Sequence, residues 1–162
     1  MAEKLKILFL CTGNSCRSQM AEGWTRRLKG ELIEPFSAGI DPRGLDSDAV
    51  RVMAEAGVDI SGQPSKHVDS LKHVSFDLVV TVCSHAGEHC PIFPGRTPVV
   101  HVGFDDPPVL ARGAATEAAR LAPYRRVRDE IKAFVETLPE RFQVSGFRCH
   151  EAPSKSTQDP SE

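Results

Sequence analysis

The chain has 162 residues and a formal net charge of −2, from 20 basic and 22 acidic side chains. A single domain of this length buries enough apolar surface to fold without disulfides or structural metals. The nearly neutral charge gives no reason to expect a nucleic-acid or membrane partner, and the apolar run Ile7–Leu10 is too short for a signal peptide or a membrane span. We therefore expect a monomeric cytoplasmic protein.

Two kinds of pattern alternate along the chain. Apolar, β-branched runs predict strands at Leu5–Leu10, Leu32–Ala38, Phe76–Val82 and Pro98–Val102. Helical periodicity and capping residues predict helices at Gln19–Gly30, from Asp46 or Ser47 to Ala56, at Val68–Val74 and at Ala114–Leu138, the last broken by Pro123. This alternation predicts an α/β fold, a small doubly wound four-stranded parallel sheet flanked by helices.

The segment Cys11–Ser18, here called the anion loop, joins the first strand to the first helix. In that setting successive backbone N–H groups can surround an anion, and Gly13 and Asn14 suit the turn that this requires. The guanidinium of Arg17 matches two oxygens of a tetrahedral oxyanion, and Cys11 is expected to be a thiolate nucleophile beneath it. The expected oxyanion-binding residues are Thr12, Gly13, Asn14, Ser15, Cys16, Arg17 and Ser18. The plainer alternative is a buried cysteine before an ordinary helix.

Five cysteines occur in the chain: Cys11, Cys16, Cys83, Cys90 and Cys149. In a reducing compartment a disulfide between such residues is more often transient and catalytic than structural, and their odd number and uneven spacing do not suggest a secreted disulfide framework. Cys83 follows a predicted strand, as Cys11 does, so both thiols are expected at the same edge of a parallel sheet.

Cys90 lies seven residues beyond Cys83. If Ser84–His89 is helical, the two cysteines are two turns apart, roughly 10 Å along the axis. A disulfide requires Cα atoms within about 7 Å. A bond between Cys83 and Cys90 would therefore require this segment to unwind.

The stretch CTGNSCRSQMAEG resembles the loop of the low-molecular-weight protein tyrosine phosphatases, and more closely that of the thioredoxin-coupled arsenate reductases built on the same fold. Further matching motifs are SAG at Ser37–Gly39, TVC at Thr81–Cys83, CPIFPG at Cys90–Gly95, FDDP at Phe104–Pro107 and YRRVRDEI at Tyr124–Ile131. The resemblance covers roughly residues 4 to 138. We accordingly expect a catalytic domain at 1–140 and a flexible tail at 141–162, with Cys149 in the tail.

The resemblance implies a reaction in which Cys11 attacks arsenate, with Arg17 holding the oxyanion. A Cys11–Cys83 disulfide would then form as arsenite leaves, and Cys90 would convert it to a Cys83–Cys90 disulfide that thioredoxin reduces. Phosphate would act as an analogue or inhibitor. By motif position Asp106, rather than Asp105, would be the general acid.

The resemblance also leaves open a monovalent cation near Asn14, Glu22 and Ser37. Lys66 lies in a nearby segment and would supply that charge itself, so we expect no tightly bound cofactor and no metal.

Three alternatives remain at this point. The first is a low-molecular-weight protein tyrosine phosphatase using Cys11, Arg17 and Asp106, in which the later cysteines have no role. The second is a zinc site, although its four candidate ligands match no recognised finger spacing. Those ligands are Cys83, His85, His89 and Cys90. The third is a thiol sensor without turnover, which would not require an acid or Arg17.

Overall fold

The computed structural model describes residues 3–84, 93 and 95–142. The strands are β1 (Leu5–Cys11), β2 (Ile33–Gly39), β3 (Leu78–Thr81) and β4 (Val99–His101). The α-helices are α1 (Arg17–Lys29), α2 (Ser47–Glu55), α3 (Pro107–Leu110) and α4 (Glu117–Val135), and 3₁₀ turns occur at Val68–Leu71 and Glu140–Phe142. Among the helices of these described ranges, none has the length and apolar character needed to cross a membrane.

The four strands form one sheet in the order β2-β1-β3-β4, and every pairing is parallel. The predicted four-stranded parallel sheet is therefore confirmed. The chain adds β2 on one side of β1 and β3 on the other, so the direction of strand addition reverses at β1. Ligands of parallel sheets bind beside such a reversal, at the carboxyl ends of the strands. Cys11 is the last residue of β1 and lies opposite Gly39 at the end of β2.

The side chains of β1 alternate between the two faces of the sheet, as strand geometry requires. Ile7 and Phe9 are fully buried in the larger core cluster, which includes residues of α1, α2 and α4. Leu8 and Leu10 belong to a smaller cluster on the other face, with Leu71 of a 3₁₀ turn. Burial on both faces fixes the register of β1 and hence the position of Cys11 at its end.

The expectation about Pro123 was wrong. Pro123 does not break the last helix, because α4 runs through it from Glu117 to Val135. The proline cannot donate a backbone hydrogen bond to Ala119, but the burial of Leu121, Tyr124 and Val127 on one face stabilises the helix across this gap. The motif FDDPP leads into α3, which no predicted helix covered, since prolines are tolerated at the first helical positions.

Candidate active site

The anion loop is held from outside by the segment of residues 41–46 that follows β2, here called the strap. Three strap amides donate to three loop carbonyls: Asp41 to Thr12 at 2.9 Å, Arg43 to Gly13 at 2.9 Å and Asp46 to Ser15 at 3.0 Å. In a planar trans peptide the N–H points opposite to the carbonyl of the preceding residue. The N–H groups of Gly13, Asn14 and Cys16 therefore point away from the strap, as an anion-binding loop requires.

Asn14 organises the middle of the anion loop. Its backbone is left-handed, with a φ of 47°, a conformation that asparagine tolerates better than most residues. Its side chain is fully buried and donates to the Ser18 hydroxyl at 2.9 Å, while its oxygen accepts from the amide of Lys66 at 2.8 Å. These bonds fix the loop relative to both α1 and the segment before the first 3₁₀ turn.

The Cys11 sulfur lies at the base of the loop, 3.0 Å from the Ser18 hydroxyl, and only 3% of Cys11 is exposed. The Ser18 oxygen already accepts a hydrogen bond from Asn14. Its hydroxyl proton is free to point at the Cys11 sulfur, and either atom of this contact can be the donor. When Cys11 is a thiolate, the Ser18 hydroxyl is the donor.

Arg17 connects the anion loop to the segment that carries the predicted acid. Its guanidinium donates to the Phe104 carbonyl at 3.1 Å and lies 3.5 Å from a carboxylate oxygen of Asp106. Asp105 instead pairs with Arg126 at 3.1 Å on the surface. The fold thus brings Asp106, and not Asp105, to Arg17, while the roles of Arg17 in oxyanion binding and of Asp106 as general acid stay predictions.

Cys16 is a second buried thiol of the loop, with 2% exposure. Burial raises the pKa of Cys16 well above its usual value, and the negative charges of Asp46 and Asp106 raise it further. Cys16 therefore remains a neutral thiol at physiological pH. A neutral thiol is a poor nucleophile, which disfavours Cys16 as an attacking sulfur.

Cys83 lies two residues beyond the end of β3 and is fully buried in the same core cluster as Cys11. The amide of Val82 donates to the Leu10 carbonyl at 3.0 Å, which holds this segment beside β1. Cys11, Cys16 and Cys83 are all reduced thiols. Cys90 and the other zinc candidates His85 and His89 lie outside the described residues, so the Cys83–Cys90 disulfide and the unwinding of that segment stay predictions.

Glu22 and Ser37, two residues considered for a cation, form a buried contact in which the Ser37 hydroxyl donates to the Glu22 carboxylate at 2.5 Å. The other oxygen of Glu22 pairs with Arg26 at 2.5 Å. Sequence reasoning missed Arg26, although its four-residue spacing from Glu22 is typical of helical ion pairs. Burial lowers the pKa of Lys66, although the charge of Glu22 acts in the opposite direction.

No group of three or more metal-ligating side chains is found among residues 3–84, 93 and 95–142.

A further contact that the sequence did not suggest joins Tyr124 to Asp46 at 2.9 Å. These two residues are separated by 78 positions, so no local pattern indicates the contact.

Comparison with known families matches residues 6–145 to the family described as low molecular weight phosphotyrosine protein phosphatase. The match covers most of the chain, including the anion loop, Cys83 and the aspartate pair. The chain therefore belongs to this family.

The relatives narrow the assignment to the arsenate reductases of that family. The chain is 50% identical over 135 residues to an arsenate reductase of Bacillus subtilis, a match covering 81% of this chain and 95% of the relative. It is 47% identical over 137 residues to one of Halalkalibacterium halodurans, covering 85% and 96% of the two chains. A solved structure described as an arsenate reductase in the phosphate binding state is 30% identical, with a TM-score of 0.68 over 83% of this chain and 95% of that one. The resemblance seen in the motifs is confirmed.

Proposed function

We propose that this chain reduces arsenate to arsenite with electrons from its own thiols. The observation that carries the proposal is that two buried thiols, Cys11 and Cys83, follow adjacent parallel strands at one edge of the sheet. Cys11 lies beneath the anion loop with the Ser18 hydroxyl at 3.0 Å, and Cys83 follows the adjacent strand. Hydrolysis of a phosphate ester has no use for the second thiol, whereas a two-electron reduction requires it.

In the first step the Cys11 thiolate attacks arsenic while Arg17 and the loop N–H groups hold the oxyanion. A sulfur–arsenic bond forms and an arsenic–oxygen bond breaks. Asp106 would protonate the departing oxygen so that it leaves as water. Its contact with Arg17 keeps the acid beside the bound oxyanion.

In the second step the Cys83 thiolate attacks the Cys11 sulfur. A disulfide forms, the sulfur–arsenic bond breaks, and its electron pair remains on arsenic, which leaves as arsenite. Two thiols are oxidised and arsenic(V) is reduced to arsenic(III), so the electrons balance. Phosphate would occupy the same loop but has no corresponding reduction, which makes it an inhibitor.

In the third step Cys90 attacks Cys83, releases Cys11 and leaves a Cys83–Cys90 disulfide. Thioredoxin, whose own dithiol reduces such disulfides by thiol–disulfide exchange and becomes a disulfide in turn, would be the reductant and the protein partner. This cycle requires a reducing compartment, so we place the protein in the cytoplasm. The proposed catalytic domain spans residues 1–140, and the chain acts as a monomer.

A coupled assay tests this function. Reduced protein is mixed with arsenate, thioredoxin, thioredoxin reductase and NADPH, and NADPH oxidation is followed. We expect arsenate-dependent oxidation that the Cys83→Ser variant abolishes and the Cys149→Ser control leaves unchanged. If NADPH is not oxidised and an aryl phosphate is hydrolysed efficiently, the phosphatase alternative replaces this proposal.

A further inference from the structure

Asp46 makes contacts with three separate parts of the protein. Its amide donates to the Ser15 carbonyl of the anion loop at 3.0 Å. One carboxylate oxygen accepts from the first amides of α2, those of Asp48 and Ala49, at 2.8 and 3.2 Å. The other oxygen accepts from the Tyr124 hydroxyl at 2.9 Å. The position of the Asp46 backbone is therefore fixed by its own side chain.

The bond from Asp46 to Ser15 sets the orientation of one peptide of the anion loop. Because the Ser15 carbonyl points to the strap, the N–H of Cys16 points to the oxyanion side. A shift of Asp46 would allow this peptide to rotate, and the N–H would lose its alignment with a bound oxygen. The contact thus controls one of the loop donors from outside the oxyanion site.

Tyr124 anchors Asp46 to the helix that also supports α1. The tyrosine is 3% exposed and lies on α4. Burial, together with the hydrogen bond to Asp46, raises the pKa of Tyr124, so its hydroxyl remains protonated and able to donate. α4 also accepts a hydrogen bond from the Trp24 ring of α1 at 3.2 Å, through the Arg128 carbonyl. Since α1 begins at Arg17, one helix positions both the strap and the end of the anion loop.

We infer that Tyr124 and Asp46 act as a positioning pair that holds the anion loop in its oxyanion-binding shape. The inference rests on the proposed function in taking that loop as the oxyanion site. Neither side chain is assigned a contact with substrate. Tyr124 acts through Asp46, and Asp46 acts through the Ser15–Cys16 peptide.

The test measures inorganic phosphate binding to the reduced full-length protein by calorimetry, alongside the KM for arsenate. Tyr124→Phe removes only the hydroxyl, and we expect phosphate to bind on the order of tenfold more weakly, because one misaligned hydrogen bond to a charged oxyanion costs about this factor in affinity. The KM for arsenate should rise by a similar factor. The Tm of each variant is measured in parallel.

Thr116→Ala is the matched control. The Thr116 hydroxyl caps α4 by accepting a hydrogen bond from the Ala119 amide at 3.0 Å. The substitution removes this hydroxyl and leaves the contacts of the strap unchanged. Its Tm should fall while its phosphate affinity stays that of the wild type. If both variants lose affinity in proportion to their loss of Tm, the effect is one of stability and the positioning pair is refuted.

Asp46→Asn changes the other partner of the contact. It tests the inference alone if Tyr124→Phe folds poorly, and where both variants fold they complete a double-mutant cycle. The amide oxygen can still cap α2, but the carboxylate that accepts from Tyr124 is lost, and phosphate affinity should fall. In that background Tyr124→Phe should have little further effect, because the two residues act through one contact. Fully additive losses would refute the pairing. Failure of the wild type to bind phosphate would overturn the proposed function itself, whereas binding unaffected by Tyr124→Phe would overturn only this inference.

Discussion

Replacement of Gly39 by alanine should distort the anion loop from outside. A Cβ atom at position 39 would lie 2.4 Å from the Thr12 carbonyl oxygen and 2.9 Å from the Asn14 amide nitrogen. Both neighbours are backbone atoms, so no side chain can rotate away. To reach even 3.0 Å from the oxygen, the loop and β2 must separate by roughly half an ångström or more.

Such overpacking typically destabilises a protein by about 1–3 kcal/mol. The effect on catalysis should be larger in relative terms, because misplacement by about 1 Å can reduce a rate roughly 100-fold. We therefore expect Gly39→Ala to lower kcat/KM for arsenate by roughly 10- to 100-fold, with weaker phosphate binding.

The coupled NADPH assay and urea unfolding measure the two effects separately. Gly62→Ala is the matched control, because a Cβ atom there has no heavy-atom neighbour within 4 Å. This variant should keep wild-type kinetics. The reasoning is refuted if Gly39→Ala retains the kcat/KM and phosphate affinity of the wild type.

Three further predictions concern charged residues. Asp106→Asn should reduce kcat about 10²- to 10⁴-fold, as loss of a general acid does, whereas Asp105→Asn should change it little; equal effects in the coupled assay would contradict the choice of acid. Because Arg26 already neutralises Glu22, exchanging potassium for tetramethylammonium at constant ionic strength should leave the KM for arsenate unchanged, and a potassium-dependent KM would show that a cation is used after all. The hydrogen bond from Arg125 lowers the pKa of Glu55 from 4.5 to about 2. A lowered carboxyl pKa stabilises the fold above the unfolded value and loses this contribution as pH falls through the folded value. The difference in free energy of unfolding between wild type and Glu55→Gln should thus shrink as pH falls from 4.5 towards 2, and a difference that stays constant in urea titrations across this range would refute the linkage.

The anion loop could be predicted from sequence because its determinants are local. A strand run ending at Cys11, a turn suited to Asn14 and a helix predicted from Gln19 all lie within a few residues of one another. The φ of 47° at Asn14 agrees with that interpretation, although α1 begins two residues earlier than predicted, at Arg17. The parallel direction of the strands could also be predicted, because strands that alternate with helices along a chain can be connected in only a few ways.

The supports of the loop could not be predicted, because they depend on contacts between distant residues. The strap donors and the Tyr124–Asp46 bond are identified only once β2, α2 and α4 are in place. The continuity of α4 through Pro123 also depends on tertiary packing, which outweighs the local penalty of proline. The ion pair between Arg26 and Glu22 differs from these contacts, because its four-residue spacing on one helix could have been recognised in the sequence.

A single turnover without thioredoxin tests the central claim most directly. Reduced wild type, Cys83→Ser and Cys90→Ser are each mixed with excess arsenate, arsenite is quantified, and disulfides are mapped by peptide mass spectrometry. We expect one arsenite per wild-type chain with a Cys83–Cys90 disulfide, one arsenite with a Cys11–Cys83 disulfide in Cys90→Ser, and none in Cys83→Ser. Release of arsenite by Cys83→Ser would contradict the proposed relay.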